Sequence, residues 1–203
     1  VILGLYYIKP FIPLINLLNH KRLFQDNFNL LFKTNTNLFI RTFFVLMSIL
    51  IFTAIGSRLG ETILAANAIL IILQMFISYS LDGFAQASEV LVGNEYGRKN
   101  KKKITKIIIS SCIISLIFAL LYSVIFYFFS MKIIGIITPL NEVLFETKKY
   151  VTWIIISPLV SFLAFQLDGV FIGANKTKIM RNTVFQSFII YLLSLIILVP
   201  VYD

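Results

Sequence analysis

Charge, cysteine and histidine are what this sequence has least of. Only 13% of its 203 residues are charged, against roughly 25% in an ordinary soluble domain. A single cysteine, Cys112, and a single histidine, His20, exclude a disulfide framework and any multi-His or multi-Cys metal site. Cys112 sits in an apolar run and reads as inert packing; His20 lies among polar residues and reads as solvated. The chain also lacks a nucleophile–base pair, a phosphate-cradling glycine loop and any metal-ligand spacing. An enzyme is therefore not expected, nor a metal or organic cofactor.

What the chain has instead is apolar mass. Hydrophobic residues make up 59% of it, twenty of them Phe, and the mean hydropathy is +0.91. Such a composition excludes intrinsic disorder, which needs low hydrophobicity and high charge density. It leaves too little polar surface for a soluble domain. The expectation is an integral membrane protein of the all-α class, a polytopic transmembrane helix bundle. Eighteen Lys and Arg against nine Asp and Glu leave a net charge of +9. In a soluble protein that excess would suggest nucleic acid. Here the bases lie between hydrophobic runs, so membrane topology and anionic lipid headgroups account for them, and no nucleic-acid partner is expected.

A bilayer-spanning helix needs about 20 mostly apolar residues. Val1–Ile8 reads as the end of a preceding span, and 9–38 as a basic connector with room for a short amphipathic helix. Five spans follow, at Phe39–Gly56, Ile63–Val92, Ile104–Phe129, Val151–Gly173 and Thr183–Val201. The second is too long to cross upright and must tilt, kink or protrude. The chain opens Val1-Ile2-Leu3 and closes just after an apolar run, as expected of a piece of a longer polypeptide. Counting Lys and Arg loop by loop places fourteen on one side of the membrane. They fall in the connector up to Arg41, in Arg98–Lys106 and in Lys176–Arg181. The other side holds only Arg58, Lys132, Lys148 and Lys149. That asymmetry makes the basic side cytoplasmic and puts Tyr150 and Trp153 at the outer interface.

Three carboxylates fall inside spans: Asp82, Glu89 and Asp168. An acid at mid-bilayer costs about 2.5–3.5 kcal/mol even by low estimates, so each is a functional candidate. Asp82 and Glu89, seven residues apart, share a helix face to within about 20°. Ser78, Tyr79 and Gln86 lie on or beside that face, making a polar stripe of candidate binding residues: Tyr79, Asp82, Gln86 and Glu89. The competing reading is a carboxyl locked to a neighbouring helix by hydrogen bonds, and Glu89 is also close enough to the interface to meet water. Ser157 and Ser161 share the face of Asp168. Pro158 removes a backbone donor in mid-helix and is either a hinge or a tolerated proline. The strings Leu81-Asp82-Gly83 and Leu167-Asp168-Gly169 form a short repeat, and Gly169 with Gly173 permits close helix approach.

The segments Leu64-Ala65-Ala66-Asn67-Ala68-Ile69, Tyr79-Ser80-Leu81-Asp82-Gly83-Phe84-Ala85 and Glu89-Val90-Leu91-Val92-Gly93-Asn94-Glu95-Tyr96-Gly97 resemble the multidrug and toxic compound extrusion (MATE) family. So do Phe39-Ile40-Arg41-Thr42, Leu167 to Gly173, and Met180-Arg181-Asn182, which together cover almost the whole chain. The branch resembled is the one named for DNA-damage-inducible protein F. The resemblance implies twelve spans in two lobes of six, arranged as a V. It implies an antiporter of the cell (inner) membrane that exports amphipathic, often cationic compounds in exchange for protons or Na⁺. On that reading the chain is most of the C-terminal lobe, its complete spans are the seventh to eleventh, and 9–38 is the cytoplasmic interlobe linker. The partners implied are membrane lipids, a small amphipathic substrate and the N-terminal lobe of the same transporter.

The resemblance makes Asp168 the match for a tenth-span acid implicated in cation binding in other branches. No acid lies in Phe39–Gly56, so the rest of such a Na⁺ site is not carried over. A first-span Asp often assigned to proton coupling would lie outside this chain. The favoured reading makes Asp82 and Asp168 the cavity acids, supported by Tyr79, Gln86 and Glu89, since an ionisable carboxyl in a cavity can exchange a proton for a cation. The alternatives are a lipid or polyprenyl-lipid flippase of a related two-lobed fold, or a non-functional remnant of such a transporter. A flippase would need cationic residues for phosphate, which these spans almost lack.

Overall fold

The computed structural model describes the backbone of residues 20–202 and the side chains of residues 28–197. The expected end of a span at Val1–Ile8 lies outside the described residues, as does the connector up to residue 19. The rest is five long helices: α1 His20–Arg58, α2 Glu61–Gly97, α3 Lys101–Ile137, α4 Asn141–Gly173 and α5 Thr177–Tyr202. Each is long and apolar enough to cross a membrane. All-α, polytopic architecture was the expectation from the apolar runs, and it is what the chain forms.

The helices run well past the apolar spans at about half of their ends, most of all before Phe39, after Phe129 and before Val151. Hydropathy marks where lipid begins, whereas helix ends are set by local breakers. Gly60, with φ of +116°, ends the first hairpin. Lys99 and Asn175 hold the left-handed conformation in the turns after α2 and α4. Asn100 caps α3, its side chain accepting the Lys103 backbone N–H at 3.2 Å. From His20 onward the expected connector is helical and continuous with the first span, so Lys33 and Arg41 belong to α1 and not to a loop. Arg41, counted with the connector bases and also the third residue of the expected first span, lies within α1, where a helix tolerates a base once the base has a partner.

The core lies between α2, α3 and α4. Along α2 the buried positions Ala66, Ile69, Leu73, Ile77, Leu81, Ala85, Ser88, Val92 and Glu95 recur every three or four residues, one face of a straight helix. Phe126 and Ile134 of α3 and Val143 and Ile154 of α4 complete it. The buried face of α3 is otherwise made of small residues, Ser115, Ala119, Ser123 and Ser130, which lets helices approach closely in the absence of a hydrophobic driving force.

α2 and α4 run parallel in nearly constant register. Ser157 bonds to Gln74, Gly169 lies on Ala85, and Gly173 lies on Glu89 and Gly93. α5 packs along α1, where Phe44 meets Phe185 and Phe188 with ring centroids 5.1 and 5.2 Å apart.

Candidate functional site

The site is built where α2 crosses α4 and where α1 runs antiparallel beside them. Gly169 and Gly173 have no Cβ to hold the helices apart. A methyl group at Gly169 would collide with the Ala85 carbonyl, and one at Gly173 with the Glu89 carbonyl. This contact brings the two Leu-Asp-Gly strings to nearly one level: Asp82 lies just before Ala85, and Asp168 just before Gly169. Asp82 is within electrostatic reach of both Glu89 and Asp168. Three carboxylates thus gather at one crossing. The alternation of residues on isolated helices showed the first pairing of these acids; only the crossing supplies the second.

Asp168 has a partner that sequence reasoning missed. Its carboxylate accepts a hydrogen bond from Arg41 of α1 in an ion pair, with side chains 23% and 28% exposed respectively. Seven residues earlier on α1, Thr34 donates to Asn175 at 3.0 Å, and Asn175 is seven residues after Asp168. The two contacts run in opposite chain directions, one to α4 and one to the turn that follows it, as antiparallel neighbours require. The Arg41 Nε is buried and has no partner among the described residues. One edge of the guanidinium fork is left unused, so the pair falls short of the bidentate geometry that holds such contacts most firmly.

Towards the N-terminal half of α4 the same flank opens. A cavity of about 700 Å³ lies between α1, α2 and α4. Phe52 of α1, Asn67 and Gln74 of α2, and Tyr150, Trp153, Ser157 and Ser161 of α4 are among the residues lining it. Its lining contains no charged residue. Ser157 and Ser161, expected on the face of Asp168, line the cavity, while Asp168 itself lies deeper on that flank against Arg41. α4 continues through Pro158, which is fully buried beside the Ser157–Gln74 contact.

On α2, Gln86 donates to Asp82 at 2.9 Å. Tyr79 is 74% exposed and Gln86 is also exposed, while Asp82 and Glu89 are half-buried. These four form an open flank and do not line that cavity. Behind it lies a polar node that the sequence reading passed over. Gln166, fully buried, accepts from the Ser88 hydroxyl at 2.8 Å and donates to the Ser115 hydroxyl, tying α4 to α2 and α3. A Gln inside the apolar run Leu163–Leu167 was the available signal. At the basic side, buried Asn37 donates to Thr177 at 3.1 Å and accepts from Arg181 at 3.0 Å. Among the described residues no cluster of His, Cys, Asp and Glu could hold a metal ion.

The geometry can be set beside known proteins. A family model described as MatE matches residues 38–200. The chain is 32% identical over 185 residues to DNA damage-inducible protein F of Escherichia coli (strain K12), a match covering 90% of this chain. The chain spans about 40% of the length of that relative. No solved structure matches it. With five bilayer-length apolar helices and this agreement along most of its length, the chain is a multi-pass membrane protein and belongs to the MatE family.

Proposed function

We propose that this chain forms most of the C-terminal lobe of a cation-coupled antiporter of the cell (inner) membrane, exporting amphipathic, often cationic compounds in exchange for protons or Na⁺. The observation that carries the reading is the Asp168–Arg41 ion pair, with two further acids, Asp82 and Glu89, on the neighbouring α2 and no base paired to either among the described residues. Acids outnumber the paired base, so the crossing attracts a further cation. An incoming proton or cationic group competes with Arg41 for the Asp168 carboxylate, and the incomplete Arg41 contact makes that exchange accessible. The apolar and aromatic cavity on the same flank suits the body of an amphipathic compound. The open flank of Tyr79, Asp82 and Gln86 is the surface that an N-terminal lobe would face across a central cleft. A lipid flippase is disfavoured because the cavity lining offers no Lys or Arg for a phosphate.

Efflux of a fluorescent cationic dye from cells carrying the full-length protein tests this. Asp82→Asn and Asp168→Asn keep size and shape but cannot ionise, and each should lower export about tenfold, as expected for loss of one charge-assisted contact. Glu89→Gln should lower it less. Wild-type export from both Asp variants at equal membrane abundance would overturn the reading.

A further inference from the structure

A second cleft lies away from the acids, between α2 and α3 at the basic end of the bundle. It has a volume of about 370 Å³. Phe84, Ala87 and Leu91 line it on α2, and Ile107 and Ile114 on α3, with Lys103 and Lys106 at its rim. From Lys103 to Ile114 the groove runs about 16 Å along the helix axis, close to the roughly 15 Å of one bilayer leaflet. The Phe84 and Phe118 rings, 4.6 Å apart, lie at its deep end.

The rim is strongly basic. Six bases, Arg98, Lys99, Lys101, Lys102, Lys103 and Lys106, stand against one acid, Glu95. Glu95 is already engaged: Lys103 donates to it at 2.9 Å and Arg98 at 3.3 Å. No described carboxylate pairs with Lys106, and Ser110, beside it in the lining, is exposed with no hydrogen-bond partner among the described residues. A free ammonium and a free hydroxyl thus sit where the apolar groove reaches the headgroup level. Basic pockets between transmembrane helices on the cytoplasmic side recognise anionic headgroups, and the charge count assigns this end to the cytoplasm.

We infer that the α2–α3 cleft binds an anionic phospholipid of the cytoplasmic leaflet, its phosphate at Lys106 and Ser110 and one acyl chain in the groove. Lys103 is held back by Glu95 and shapes the rim without carrying the contact. The site lies on a different helix pair from the acid cluster and does not depend on the transport reading.

The test uses the full-length protein, stripped of lipid in neutral detergent, with bound lipid measured by native mass spectrometry. Phosphatidylglycerol should bind at least fivefold more tightly than phosphatidylcholine with the same chains, and millimolar inorganic phosphate should not displace it. Lys106→Gln should cost about fivefold in phosphatidylglycerol binding, the scale of one basic residue at a membrane surface. Lys106→Arg should retain the preference, which separates lost charge from lost folding. Ala87→Phe, which fills the groove, should weaken both lipids. Equal binding of the two lipids by the wild type, displacement by inorganic phosphate, or unchanged phosphatidylglycerol binding in both Lys106→Gln and Ala87→Phe would each overturn the inference.

Discussion

Arg41 and Asp168 illustrate how a single charge becomes tolerable at membrane depth. Alone, either would carry a desolvation cost of several kcal/mol, and pairing offsets much of it. Removing one partner leaves the other uncompensated, whereas removing both leaves neutral groups that still hydrogen-bond. Arg41→Gln and Asp168→Asn should therefore each destabilise the full-length protein by about 1–3 kcal/mol, less than for a wholly buried pair because both keep roughly a quarter of their surface. The double variant should recover most of that loss. Apparent melting temperatures in detergent provide the check, and purely additive losses would show that the two residues are not coupled. The Gln166 node follows the same rule without charge: two serines and one amide satisfy one another where no water reaches.

At the scale of the helices, two glycines in the same short string do opposite work. Gly83 has open space where a side chain would project, and Gly169 has the Ala85 carbonyl. Gly83→Ala should be neutral or stabilise by up to about 1 kcal/mol through helix propensity. Gly169→Ala must push α2 and α4 apart, at about 1–3 kcal/mol, the cost of overpacking a fitted interface. Thermal unfolding of the two variants side by side decides it, and equal melting temperatures would mean that the crossing is looser than the contact implies. The same crossing positions Asp168 against both Arg41 and Asp82, so Gly169→Ala should disturb the acid cluster as well as the packing.

For the molecule as a whole, the charge asymmetry and the hairpins predict which turns face which side. On a Cys112→Ser background of the full-length protein, cysteines at Lys102 and Lys176 should react with an impermeant thiol reagent only from the cytoplasmic side. A cysteine at Asn141 should react from outside. Lys102, Asn141 and Lys176 are exposed, and none of the three holds the left-handed backbone found at Lys99 and Asn175. Reversed accessibility at any two sites would overturn the arrangement. Much of this scale was legible in advance. The turns at Gly60, Asn100, Leu140 and Asn175 fall between the expected spans, because apolar runs separated by Gly, Asn, Pro and Lys mark both lipid exposure and chain reversal. Less legible were the ends of the helices, since polar residues such as Thr34 and Asn37 continue a helix as readily as they leave one when a neighbouring turn supplies partners.

By itself the sequence determined the membrane class, the five complete spans among the described residues, the shared face of Asp82 and Glu89 and the shared face of Ser157, Ser161 and Asp168. These follow from composition and from the fixed angle per residue of a helix, which need no knowledge of neighbours. Tertiary structure alone decided that Asp168 meets Arg41 across 127 positions of chain, that Gln166 joins three helices, and that Lys106 rims a groove while Lys103 is held by Glu95. The reason is physical: periodicity fixes which way a side chain points from its own axis. What it points at depends on how helices cross, and here that is set by where glycine lets two backbones touch.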